Sequence, residues 1–119
     1  MTTSSPCFLL SLLASVTIAA AGCSRSISPK EAAQHIGQRC TVEGFVASAG
    51  ATRRGTVFLD FDNGYPHQTF TAVSLNGELS AGDLVQFVHH TVRVTGTVAT
   101  YNGRPEIVLH SLSQISIVK

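Results

Sequence analysis

Charged side chains are scarce in this sequence, and neither sign dominates. They make up 13% of the 119 residues, with eight Lys+Arg against seven Asp+Glu. A chain so close to neutral has no strong field to attract polyanions, which excludes a histone-like or polybasic nucleic-acid binder. The hydrophobic fraction of 44% is too high for a disordered tail. We therefore expect a folded domain.

Motifs for catalysis, cofactors and metals are also missing from the sequence. It contains no GxSxG nucleophile turn, no Walker-type phosphate loop and no CxxC pair. The adjacent His89 and His90 would diverge by about 100° on a helix, so they cannot easily hold one ion together. The stretch from Asp60 places Tyr65 and Thr71 where a calcium loop needs glycine and glutamate. We expect no enzyme activity, no cofactor and no metal site.

An apolar, uncharged run lies near the start of the chain. It covers residues 7–21 and ends in small residues just before Cys23. An apolar stretch of this length followed by small residues is typical of a secretory signal. It is too short to span a membrane comfortably. We therefore expect residues 1–22 to be a signal peptide and the protein to be exported.

The residues Ala20-Ala21-Gly22-Cys23 resemble a bacterial lipobox, in which the cysteine becomes the lipidated first residue of the mature protein. The resemblance implies lipidation of Cys23 and anchoring in a membrane of the bacterial cell envelope, with residues 23–29 as a tether. Several acyl chains would make that anchoring effectively permanent. The alternative is ordinary signal-peptidase cleavage after Ala21, which would release a soluble periplasmic or secreted protein.

Two cysteines, Cys23 and Cys40, would remain after such processing. A disulfide between them is conceivable in an oxidising envelope. Cys40 shares strand parity with Val42 and Val46, which points its side chain inward. We therefore favour an unbonded Cys40 that packs as a small hydrophobic side chain.

The remainder of the chain, residues 30–119, reads as one domain. Ser28 and Glu31 are spaced as a capping box that begins a short helix, and Gly37 is suited to end it. The hydrophobic period then changes from 3.6 to 2, which predicts strands. Three strands, a second helix beginning near Ser80 and two further strands follow, which is the element order of an OB-fold barrel.

Three parts of the sequence resemble the OB-fold domains of small exported bacterial proteins. They are Gly44 in the first strand, GTVFLDFDNGYPHQTFTAV at 55–73 and TVRVTGTVATYNGRPEIVL at 91–109. Those domains are grouped with the anticodon-binding type of nucleic-acid OB folds. The resemblance covers about residues 30–118. It implies an all-β fold, a five-stranded Greek-key OB-fold barrel with a short N-terminal helix and a helix between strands 3 and 4.

OB folds bind ligands across strands 2 and 3, between the loops that follow strands 1 and 4. Six residues at these places are candidate ligand-binding residues: Arg53, Arg54, Phe58, Tyr65, Tyr101 and Arg104. Arginines beside aromatic rings would suit single-stranded nucleic acid, whose bases stack on such rings for about 1–3 kcal/mol each. Asp60 and Asp62 beside the same face would repel phosphates.

Purely structural roles for these residues are also open. Arg104 could pair with Glu106, Phe58 could pack under the N-terminal helix, and Tyr101 could cover the end of the barrel. We therefore predict a noncatalytic binding module of the cell envelope whose partner is an unidentified protein, peptide or glycan. The alternative is a single-stranded nucleic-acid-binding OB-fold protein.

Overall fold

The computed structural model describes residues 22–119, so all but the last residue of the expected signal peptide lies outside it. Six strands form the domain: β1 (Arg39–Ala51), β2 (Val57–Phe61), β3 (Phe70–Ser74), β4 (Thr91–Tyr101), β5 (Arg104–Val108) and β6 (Ile115–Ile117). Helix α1 (Ala81–Leu84) continues into a 3₁₀ turn, Val85–Phe87, and further 3₁₀ helices cover Lys30–His35 and Leu112–Gln114. Within residues 22–119, every helix is too short or too polar to cross a membrane.

Five of the strands close into a barrel. Their order is β1-β2-β3-β5-β4, and β4 pairs back with β1. The β3–β5 pair is parallel, whereas β1–β2, β2–β3, β4–β5 and β1–β4 are antiparallel. This closed ring is that of an OB fold, so the predicted all-β, five-stranded barrel is confirmed. β6 pairs with the free side of β4 and lies outside the ring.

The barrel interior is filled by alternate side chains of the strands. Leu59 and Phe61 of β2 are fully buried, and the ring of Phe61 meets that of Phe70 edge to face at 5.2 Å between centroids. Because successive strand residues point to opposite faces, Phe58 and Asp60 lie on the outer face of β2. The packing of the core thereby fixes which side chains of β2 are available to a ligand.

The helix starts predicted at Ser28 and near Ser80 are both present, and each has a capping box. Ser28 N–H donates to Glu31 Oε1 at 2.9 Å, and Glu31 N–H donates to Ser28 Oγ at 3.3 Å. Ser80 and Asp83 exchange the same pair of bonds at 2.9 and 3.1 Å. The helices that follow are short. The first is a 3₁₀ helix of six residues, and α1 has four residues.

The last strands differ in extent from their sequence-based boundaries. Alternation in the sequence predicts the fifth strand at Glu106 to His110, but β5 begins two residues earlier, at Arg104, and ends at Val108. A third capping box, at Ser111, then starts a 3₁₀ turn, which breaks the alternation. Residues 115–117 are a separate strand for this reason.

Residues 23–29, expected to be a tether, lie against the barrel. The N–H of Ile27 donates to Thr41 O at 2.9 Å, and the N–H of Glu43 donates to Ile27 O at 2.8 Å. Ile27 itself is buried in the core. Since the segment pairs with β1 and buries a side chain, this stretch belongs to the folded domain.

Cys23 and Cys40 are joined by a disulfide, with 4.9 Å between their Cα atoms. Cys40 is buried, as its strand parity predicted, but the expectation that it is unbonded was wrong. The N–H of Cys23 donates to Arg39 O at 2.9 Å, and this pairing brings the two cysteines side by side. A sulfur in a disulfide cannot also carry a thioether-linked lipid, so the disulfide-bonded and lipidated forms of Cys23 exclude each other.

Candidate ligand-binding cleft

A row of polar side chains crosses the outer face of the sheet. The strand register places Ser48 opposite Asp60, Asp60 opposite Thr71, and Thr71 opposite Glu106. Residues directly opposite one another share a face of the sheet. The row therefore runs across β1, β2, β3 and β5 as a continuous strip of hydroxyl and carboxyl groups.

A second row, two residues along each strand, is apolar. It consists of Gly50, Phe58 and Val73, which lie opposite one another on β1, β2 and β3. A Cβ atom added to Gly50 would lie 2.5 Å from Cζ of Phe58, so the phenyl ring lies over this glycine. The ring is half-buried there, over β1 and facing the cleft, rather than under the N-terminal helix as the alternative had it.

Two loops rise beside this face. The connection between β1 and β2 carries Arg53 and Arg54, both exposed. The connection between β4 and β5 is a two-residue turn, Asn102-Gly103, in which both residues have positive φ. Asn-Gly favours such turns because both residues tolerate this backbone region. The turn sets Tyr101 directly opposite Arg104 at the edge of the sheet.

These rows and loops enclose an open cleft of about 810 Å³. All six candidate residues line it: Arg53, Arg54, Phe58, Tyr65, Tyr101 and Arg104. The two tyrosines are 75% and 68% exposed, so their rings are free to move onto a ligand. The structure thus brings together every residue that the sequence placed at the site; their role in binding stays a prediction.

Two carboxyl groups lie within the cleft. Asp60 is 2% exposed, and its Oδ2 accepts a hydrogen bond from Ser48 Oγ at 3.1 Å, while Oδ1 has no partner among the described residues. Burial raises the pKa of Asp60, although the bond from Ser48, the nearby Tyr65 backbone and the charge of Arg104 act in the opposite direction. Burial also raises the pKa of Glu106. Both groups are therefore protonated more readily than exposed carboxyls.

Arg104 does not form the pair with Glu106 that was considered from the sequence. Its Nη1 donates to Gln68 Oε1 at 2.8 Å. Sequence reasoning missed Gln68, and also Thr71 on the polar row. Thr71 could have been identified from the sequence, because it is a polar residue between the apolar Phe70 and Ala72, both of which are buried in β3. Alternation along a strand places such a residue on the outer face. Gln68 precedes β3 and has no periodicity that would reveal it.

A second group of chemically distinctive side chains lies outside the residues that line the cleft. The ligand atoms of Cys23, Cys40 and His35 all lie within 4.8 Å of one another. His35 Nδ1 is 3.0 Å from Gln38 Oε1. Sequence spacing could not show this group, because its members come from three different elements.

Known proteins resemble this chain in structure rather than in sequence. No protein-family model and no curated protein matches the sequence. A solved structure assigned as an aspartyl-tRNA synthetase from Leishmania major Friedlin superposes with a TM-score of 0.53 at 13% identity, over 91% of this chain and 22% of its own. The asparaginyl-tRNA synthetase of Entamoeba histolytica gives a TM-score of 0.50 at 16% identity, over 78% of this chain and 23% of its own.

This chain spans less than a quarter of either synthetase. At such low identity the similarity establishes the fold alone. It agrees with the closed five-stranded ring described above, and the chain is an OB-fold domain. Any ligand has to be argued from the cleft itself.

Proposed function

We propose that this chain is a noncatalytic OB-fold protein that binds single-stranded nucleic acid in the cleft. The proposal rests on one observation. Three arginines and three aromatic rings line the same open cleft on the face of β2 and β3. Stacking rings beside cationic side chains are what single strands require. Both structural neighbours are named for tRNA, which agrees with a nucleic-acid ligand.

The two rows of the cleft floor suit the two kinds of surface that a base presents. Phe58, supported by Gly50, offers a half-buried ring against which a base can stack. The neighbouring polar row then lies beside the edge of that base, where Thr71 and the carboxyl groups can accept hydrogen bonds. Arg53 and Arg54 lie on the loop beside the floor, from which they can reach phosphates.

The test is fluorescence anisotropy with a labelled single-stranded oligonucleotide of about ten nucleotides. We expect binding at low salt, with the logarithm of affinity falling against the logarithm of salt concentration by about 0.7 for each phosphate contact. A titration that shows no binding at high micromolar protein in low salt would contradict the proposal.

Paired arginine variants sharpen this test. Arg53→Ala should weaken binding and reduce the salt slope by about 0.7, because one phosphate contact is lost. Arg93→Ala is the matched control, since Arg93 pairs with Glu43 at 2.8 Å and does not line the cleft. Equal losses from the two variants would mean that the cleft is not the binding surface.

A second candidate function is a noncatalytic module of the cell envelope, and the Cys23–Cys40 disulfide favours it. Disulfides persist in oxidising compartments, which agrees with the export expected from residues 7–21. The partner would then be a protein, peptide or glycan, and lipid on Cys23 would anchor those molecules in which this cysteine is free of the disulfide. Binding to such a partner would respond little to salt.

Intact-mass measurement of the protein purified from cells tests this candidate. A mature chain that begins at Cys23 and carries acyl chains would support envelope anchoring. A chain that retains residues 1–22 would contradict processing at this site. A processed, unacylated chain two hydrogens lighter than the thiol form would indicate export with the disulfide formed.

A further inference from the structure

The geometry points to a thiol-dependent metal site: we propose that Cys23 and Cys40, once reduced, bind a zinc ion together with His35. The three side chains offer two sulfurs and one imidazole nitrogen within 4.8 Å of one another. Two thiolates and an imidazole are ligands that zinc prefers. The two thiolate charges balance the charge of the divalent ion, so the half-buried site would be neutral when occupied.

The backbone holds each ligand in place independently of the disulfide. Cys40 lies within β1, paired with Gly96 of β4. Cys23 is fixed to the same strand by the bond from its N–H to Arg39 O. His35 ends the 3₁₀ helix, and its carbonyl accepts from the N–H of Gln38 at 3.0 Å. Reduction of the disulfide therefore leaves the three residues together.

Gln38 is placed to orient the imidazole. Its Oε1 lies 3.0 Å from Nδ1 of His35, and the tautomer that carries its hydrogen on Nδ1 donates to this oxygen and leaves the lone pair of Nε2 for a metal. An outer hydrogen bond of this kind fixes the tautomer of metal-binding histidines. Zinc–sulfur bonds of about 2.3 Å in a tetrahedron separate two sulfurs by about 3.8 Å. Cys23 and His35 are half-buried, so their side chains can rotate to reach that geometry.

A thiol reductant supplies the electrons and protons that convert the disulfide to two thiols before zinc binds. Two molecules of the reductant donate two electrons and two protons to the disulfide and leave as their own disulfide, which gives two protein thiols. Zinc then displaces a proton from each thiol. The fourth position of the tetrahedron is open to water. The disulfide and the bound zinc would each hold the segment before Ser28 against β1.

The test is a zinc titration of the full chain, reduced, stripped of metal with a chelator and handled without oxygen. Competition with a chromophoric chelator should show one zinc per chain, and oxidation should abolish binding. Cobalt in place of zinc should give the near-ultraviolet absorption of metal–thiolate bonds. A reduced chain that retains no zinc would overturn the proposal.

Two histidine variants separate this site from adventitious binding by thiols. His35→Ala should lower zinc affinity at least about tenfold. His110→Ala is the matched control, because His110 is exposed and pairs with Glu78 instead. Equal zinc affinity in His35→Ala and the unmodified chain would refute the three-ligand site. Since His35 is half-buried at a helix end, its replacement tests the proposal even if Cys40→Ala fails to fold.

Discussion

Asp60 is the most unusual single residue of the cleft, because a carboxyl group is buried there with one oxygen lacking a partner among the described residues. Together with Glu106 it opposes the three arginines that line the same surface. Three cationic groups against two ionised carboxylates leave a formal charge of +1, which becomes +3 when both carboxyls are protonated. The protonation state of two residues thus controls the attraction of the cleft for an anion.

Oligonucleotide affinity should therefore rise as the pH falls below neutral. Burial raises the pKa of Asp60 and of Glu106, so both take up protons earlier in an acid titration than free carboxyls do. Anisotropy titrations at constant ionic strength measure this effect. Asp60→Asn should bind more tightly at pH 7 and respond less to pH, whereas Glu43→Gln, on the surface that holds Arg93, should retain the full response.

Phe58 should contribute more to binding than any other ring, since Gly50 holds it in place. Phe58→Ala should weaken oligonucleotide binding about fivefold to 150-fold, which corresponds to one lost stacking interaction of about 1–3 kcal/mol. Phe45→Ala is the control, because this ring is 43% exposed and stacks on His89 instead. A larger loss from Phe45→Ala would move the binding surface elsewhere.

At the level of elements, the N-terminal segment and β1 are fitted to each other through a glycine. A Cβ atom on Gly44 would lie 2.4 Å from Cγ of Pro29 and 3.0 Å from Cδ2 of Phe61. Pro29 is buried at this contact. The absence of a side chain at Gly44 therefore lets the segment lie flat against the strand, with the core immediately behind it.

Gly44→Ala should lower the free energy of unfolding by about 1–3 kcal/mol, because the added methyl group overpacks this contact. Urea denaturation of both proteins provides the measurement. Gly82→Ala is the control, since the nearest atom to its Cβ would be Ser80 Oγ at 3.6 Å and alanine favours the helix. An unchanged midpoint for Gly44→Ala would show that the segment detaches at little cost.

Local patterns in the sequence were sufficient to predict the order of the strands along the chain, although not all of their ends. Alternation placed Phe58 on the outer face, and the turn residues Asn102-Gly103 placed Tyr101 and Arg104 at one edge. Contacts between distant segments were not accessible in this way. Ile27 is a single apolar residue in a polar stretch, and no period reveals its burial.

The same limit applies to the cysteines and the carboxyls. Parity showed that Cys40 points inward, but its partner depends on where an irregular segment docks. Asp60 was expected only to repel phosphates beside the face, and its burial follows from neighbours on β1 and β3 that sequence order does not bring together. The charge of each carboxyl group could be predicted from the sequence. Its burial could not, because burial depends on how the strands close into the barrel.

For the molecule as a whole, the disulfide should be a major source of stability. It closes a chain segment with a sequence separation of 17, for which loop entropy predicts about 3 kcal/mol. Urea denaturation with and without a reductant, both with a metal chelator present, measures the difference. Cys40→Ala should show no effect of the reductant, and identical midpoints for the oxidised and reduced chain would contradict the expectation.

Strand β1 also separates Cys23 from the loop that would contact the proposed ligand. The strand is 13 residues long, begins beside Cys23 and ends at the loop that bears Arg53 and Arg54. With a rise of about 3.3 Å per residue, its ends are separated by up to about 40 Å of chain. An attachment at Cys23 would therefore hold the domain at one end of β1 and leave the loop with the two arginines at the other end of that strand.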